Sequence, residues 1–241
     1  AYTSATAMEF FTINITNDDF AITEQVSIPV NKNGVKLIIK GADGIKTLTR
    51  GVQNSLFVVA ENGDVTFEDL IIDGDEESYK TTYSSIIFSN NAIVKVNNVT
   101  LKNNHGSAIS VKDGTQLELN NVVISGNTAE SGGGIYAANS HVTLTDSEIS
   151  GNTAIEYGGG VELITGGSLT LNGGKISGNK AKHGGAVELY GGSTFTMNDG
   201  IISGNTAEFG GAIAIDAGYT QCEVTLNGGI IYGNFADEGT Y

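Results

Sequence analysis

The sequence predicts an all-β solenoid, on three observations: a phrase that recurs every 26 residues, short stretches of alternating polarity, and glycine-rich turns between them. Four-residue openings recur as Gly184-Gly185-Ala186-Val187 and Gly210-Gly211-Ala212-Ile213. The last position of that phrase keeps strict time, with Ile109, Ile135, Val161, Val187 and Ile213 each 26 residues apart. A second phrase ends in Asn: "LNNVVISGN", "LTDSEISGN", "LNGGKISGN", "MNDGIISGN" and "LNGGIIYGN". Looser copies precede it, so the marking position runs Ala42, Asp75, Asn104, Asn127, Asn152, Asn179, Asn205 and Asn234. Eight such marks predict about eight rungs.

Each unit holds three short β-like pieces. From residue 184 they are "AVELY", "STFTMN" and "GIIS", separated by Gly-Gly, Asn-Asp-Gly and Gly-Asn turns. The first two alternate with period 2, which buries one face. Strands this short hide their apolar side only by stacking on the next repeat. Repetition in one sense makes the pairing parallel, and strand twist favours a right-handed coil. The prediction is therefore a right-handed parallel β-helix with three short strands per rung. Side chains at Ile135/Ala137, Val161/Leu163, Val187/Leu189 and Ile213/Ile215 should stack inside it.

Composition agrees. The chain has 34 Gly against 1 Pro in 241 residues, which suits many tight turns and not a collagen or a linker. A net charge of −15 disfavours nucleic acid as a partner. The single cysteine, Cys222, rules out an internal disulfide and a cysteine-based zinc cluster. No apolar run is long enough to span a bilayer as a helix, so direct membrane insertion is not expected. A monomer without a cofactor is expected.

Residues 1–34 lack the Gly-Gly turns and read as an N-terminal cap over the first rung. Residues 35–241 read as the β-helix itself. The chain stops at "NFADEGTY", where the next Gly-Gly would fall, which suggests that the coil continues in a longer protein.

The recurring asparagines, Asn104, Asn127, Asn152, Asn179, Asn205 and Asn234, read as a structural ladder at inward turns, bonding amides of their own and adjacent rungs. Asp75, without an amide donor, would fill that position less well. The outward rows are where a ligand would meet the rod. Tyr136, Glu162, Glu188 and Ala214 form one row; Ala138, Ile164, Tyr190 and Asp216 form the next. Glu162 and Glu188 should lie about 5 Å apart on adjacent rungs. Like charges so close are unfavourable unless a cation or basic group relieves them. Tyr136, Glu162, Glu188, Tyr190 and Asp216 are thus the candidate ligand-binding residues, for a sugar or a cation. Two solvated carboxylates leaning apart are the plainer reading of the same pair.

The Gly-Gly-Ala-Ile and Gly-Gly-Ala-Val tetrapeptides, alternating with a motif ending in Asn, resemble the repeats of chlamydial polymorphic outer-membrane proteins. They are similar also to adhesin-like bacterial surface proteins with a parallel β-helix. Residues 106–234 carry the match, with Gly for Ala at Gly132–Ile135 and Gly158–Val161. Where the chlamydial repeats have a Phe three before the Asn, this chain has Ile124, Ile149, Ile176, Ile202 and Ile231. The resemblance implies an extracellular or cell-surface location, with a host or bacterial surface glycan or protein as partner.

Pectate lyases and polygalacturonases share the expected fold, so catalysis has to be weighed. Lyases of that class use a Lys or Arg base beside calcium-holding carboxylates. The only arginine is Arg50, and Lys112, Lys175, Lys180 and Lys182 have no acidic cluster at the same position of adjacent rungs. Of the hydrolase motifs, Asp18-Asp19 lies in the expected cap, and His105 and His183 lack flanking glycine pairs. No catalytic set emerges. A presenting or spacing role is the first expectation, and a carbohydrate-active β-helix with unrecognised catalytic residues the alternative.

Overall fold

A computed structural model of the chain describes residues 9–81, 83–216, 218 and 220–236. They form a solenoid whose coils stack in parallel along two main sheets, with no helix among the described residues. The longer sheet runs Phe10–Ile15, Lys36–Gly41, Asp64–Asp73, Ile93–Lys102, Gln116–Asn120, His141–Ser150, Ser168–Ser177, Thr194–Ser203 and Glu223–Leu226. That is nine coils, one more than the eight expected from the Asn marks. The other sheet stacks eight strands, from Val26–Ile28 through Phe57–Val59, Ile87–Asn90, Ile109–Lys112, Ile135–Ala138, Val161–Ile164 and Val187–Tyr190 to Ile213–Asp216.

The extra coil lies in the segment expected to be a cap. Phe10–Ile15 pairs in parallel with Lys36–Gly41, Phe20–Ile22 with Lys46–Arg50, and Val26–Ile28 with Phe57–Val59. The described part of residues 1–34 is thus a turn of the ribbon itself. Its alternating apolar residues sufficed for three strands without Gly-Gly, because Asp19 takes the left-handed conformation (φ 53°) that Gly supplies elsewhere.

Three separate strands per rung occur in some coils, as at Ile109–Lys112, Gln116–Asn120 and Val123–Ser125, while in others the second and third run together. "STFTMN" and "GIIS" are one ten-residue strand, Thr194–Ser203, as are their counterparts His141–Ser150 and Ser168–Ser177. A single residue with positive φ, such as Asp69, Asn98 or Asp146, bends the strand without ending the ladder. A short third sheet occurs in some coils, for example Thr128–Ser131 on Thr153–Tyr157.

Residues that repeat every 26 positions stack directly: Ile109 on Ile135, Ile135 on Val161, Val161 on Val187, Val187 on Ile213. The inward set through residue 189 is fully buried, while Ile213 and Ile215 in the last coils are not. Aliphatic columns fill the interior, with Phe57 edge-on to Phe67 at 5.0 Å near the N-terminal end.

The Gly-Gly pairs set how closely coils approach. Gly158 has φ 62°, and a Cβ on Gly159 would fall 2.5 Å from the carbonyl oxygen of Gly185. The first glycine makes the turn and the second lets the next coil lie on it.

Candidate functional site

The asparagine column is built from bonds between coils. The Oδ1 of Asn179 accepts from the backbone N–H of Asn152 (2.9 Å) and from its Nδ2 (3.0 Å). The Nδ2 of Asn179 donates onward to Asn205 Oδ1 (3.0 Å) and back to the carbonyl of Ile149 (2.9 Å). The same pattern joins Asn127 to Asn152 and Asn205 to Asn234. Asn104 enters through its backbone N–H, donated to Asn127 Oδ1 (3.0 Å). Every carbonyl points toward the N-terminal end, so the column is polarised.

Asp75 does not continue the column. Its backbone N–H bonds the Asp73 carboxylate, and Gly74 lies so near Asn104 that a Cβ there would fall 2.6 Å from Asn104 Oδ1. The column's exposed-carbonyl end is closed instead by Arg50, which is 2% exposed and donates from Nη2 to Asn104 Oδ1 at 2.7 Å. Its terminal nitrogens also donate to the carbonyls of Val52, Asn54, Ser84 and Ser85. Burial pulls its guanidinium down to about 10, with Tyr79 acting the other way, so it stays cationic at neutral pH.

Such stacking turns every outward position of the eight-stranded sheet into a row. Phe88, Ser110, Tyr136, Glu162, Glu188 and Ala214 are successive register partners, one per coil. Glu162, Glu188, Tyr190 and Asp216 come together with Tyr157 and Ile164 around a cleft of about 330 Å³. Tyr136, the remaining sequence-predicted residue, lines an adjoining groove of about 460 Å³ with Tyr83, Phe88, Ser110, Lys112 and Ser131. The two meet where Tyr136 pairs with Glu162 and Ser131 bonds the Glu162 side chain. Lys112 stands 5.5 Å from the Tyr136 ring centre and 5.9 Å from that of Phe88.

The two glutamates are not the solvated pair of the plainer reading. Glu162 is 6% and Glu188 2% exposed, and each keeps an Oε2 with no hydrogen-bond partner. A buried carboxylate without donors favours its neutral form. Burial pushes Glu162 up to about 7, against the Ser131 bond. Burial, then the charges of Glu162 and Asp216, push Glu188 up to about 8. Burial and Glu162 raise Tyr136 as well. Among the described residues, no three His, Cys, Asp or Glu side chains gather to hold a metal ion.

One feature of the site escaped the sequence reading. Tyr157, His183 and Phe209 stack face to face at 5.2 and 4.9 Å, forming a partly exposed aromatic column beside the carboxylates. Each immediately precedes a Gly-Gly pair, 26 residues from the next. That spacing was a usable signal. The ring centre of His105 lies 4.6 Å from that of Tyr83, which lines the neighbouring groove.

Residues 84–239 match the model of the right-handed β-helix region. The chain belongs to the right-handed β-helix family. Searches of curated proteins and of solved structures gave no match. In this β-helix the aromatic column, the paired glutamates and the hydroxyl-rich groove all lie on one side of the coil, spanning successive repeats.

Proposed function

We propose that this β-helix is an adhesin-like rod of the bacterial cell surface that binds a glycan along the groove of its eight-stranded sheet. The observation that carries the reading is the alignment of Phe88, Ser110, Tyr136, Glu162 and Glu188 in one row, beside the Tyr157–His183–Phe209 column. Coils recur every ~4.8 Å, close to the length of one pyranose unit in an extended chain. Each coil can therefore address one sugar ring, with aromatic faces for the apolar side and hydroxyls or carboxylates for the polar side. The extracellular location rests on the resemblance of the repeats to polymorphic outer-membrane proteins.

A glycan array probed with the chain should give binders. Tyr157→Ala combined with Tyr190→Ala should weaken them about tenfold, the scale of lost stacking. Absence of any glycan binding, or binding indifferent to both substitutions, contradicts the reading.

A second reading is glycan cleavage, favoured by two buried carboxyl groups held near neutral pKa in an open cleft. Glu188, the more strongly raised, would serve as proton donor and Glu162 as base. Release of reducing ends from a bound polysaccharide, abolished by Glu188→Gln, distinguishes cleavage from binding alone.

A further inference from the structure

Resting on the glycan-groove reading, we propose that Glu162 and Glu188 form a seat for a primary ammonium group, so that the groove selects a glycan containing unacetylated amino sugars. Each glutamate is more than nine-tenths buried, each lines the cleft, and each leaves one oxygen without a donor. The two residues are register partners on adjacent coils. Their backbones are therefore ~4.8 Å apart, and one nitrogen donating at ~2.8 Å to each oxygen bridges that gap. An ammonium has three donors and a compact charge. A guanidinium prefers both oxygens of a single carboxylate in one plane. Calcium needs six to eight oxygen ligands, and although Asp216 lines the same cleft, no three carboxylates among the described residues are grouped so as to hold a metal ion.

The surroundings fit a sugar-borne amine better than a lysine side chain. Tyr157 and Tyr190 line the same cleft, and Tyr157 begins the aromatic column on which a ring can lie. Other charged or titratable groups facing the pair are Tyr136, which Glu162 affects, and Asp216, which affects Glu188. Beyond them, Lys112 stands over Tyr136, and His183 stacks on Tyr157. Asp216 adds negative charge on the side where an ammonium would sit. Burial raises the two carboxyls to about 7 and about 8, so seating a cation between them at pH 7 displaces protons.

The experiment is calorimetry at pH 7 on the whole chain with a fully deacetylated glucosamine tetramer, its N-acetylated counterpart, a lysine tetrapeptide and calcium chloride. Expected are a preference of about tenfold or more for the deacetylated tetramer, and proton release on binding, read from buffers of different ionisation enthalpy. Glu162→Gln with Glu188→Gln should erase the preference and the proton release, so that the two tetramers bind the variant alike. Circular dichroism confirms that the variant is folded. Equal affinity for the two tetramers overturns the ammonium seat but leaves the groove standing. Binding of neither overturns both. Tighter binding of calcium or of the lysine peptide, lost in the double variant, overturns the amino-sugar assignment.

Discussion

Replacing Arg50 by methionine is expected to destabilise the protein by about 4 kcal/mol, measured by equilibrium denaturation in urea. The hydrocarbon stem of methionine fills much of the same space, so the loss comes chiefly from polarity. Without the guanidinium, Asn104 Oδ1 loses a 2.7 Å charged bond, and the carbonyls of Val52, Asn54, Ser84 and Ser85 each lose a donor. The damage is also directional. Because the asparagine amides all point one way, partial negative charge accumulates at Asn104, as at the C-terminal end of a helix. A cation there is stabilising for the same reason that lysine suits a helix C-terminus. Arg50→Lys should recover only part of the loss, since one nitrogen cannot reach five acceptors. A loss within about 0.5 kcal/mol, the range of an ordinary surface substitution, would show that Arg50 does not close the ladder.

Asn179→Ala is expected to cost about 3 kcal/mol. It takes the partner from the buried N–H of Asn152 and one partner each from Asn152 Nδ2, Ile149 O and Asn205 Oδ1. Asn198→Ala is the control. Its Nδ2 donates to Asn172 Oδ1 at 2.7 Å, a bond as short as any in the ladder, but on the exposed face. Water replaces that bond, so the change should stay within about 0.5 kcal/mol. Equal effects at the two positions would mean that burial is not what gives the ladder its strength. Denaturation midpoints of the two variants, compared side by side, decide the point.

The coil was readable from the sequence because stacking converts a 26-residue period into columns of identical environment. Inward Ile135, Val161 and Val187 announce themselves through that period and their two-residue alternation. The Asn column is legible for the same reason. What failed was whatever depends on contacts between segments of unlike sequence. Arg50 meets Asn104 across 54 residues, and nothing local to "KTLTRG" foretells that its side chain turns inward. The first coil lacks the Gly-Gly signature because its turn uses Asp19, a substitution of turn chemistry that preserves the strand pattern. The Asn-Asp-Gly turn reads as a break, although the strand bends there through a register shift and the ladder resumes at Ile201.

At the site, the outward row of Tyr136, Glu162 and Glu188 was legible, and so was its proximity to Tyr190 and Asp216. Burial of the two glutamates was not. Period-2 alternation says which way a side chain points from its sheet, and an outward residue is ordinarily wet. Here Tyr157, Ile164 and Tyr190 line the same cleft as the pair, and the glutamates are only 6% and 2% exposed. Burial of that kind depends on neighbouring side chains, which alternation does not record.

The carboxyl groups themselves give the most direct test that coil stacking places Glu162 and Glu188 side by side, buried and without donors. Titration by NMR of side-chain-labelled glutamate should show two carboxyls retaining their protons to about pH 7 and about pH 8, far above the ordinary 4.5. Glu162→Gln and Glu188→Gln should each remove one of these two titrations. The linked effect on folding has a definite sign. The folded state holds protons that the unfolded state has released, so the pair's contribution to stability is fullest below about pH 4.5 and is lost as pH rises through about 7 and 8. Glutamates that all titrate together near 4.5, with no fall of stability across that window, would contradict the buried pair.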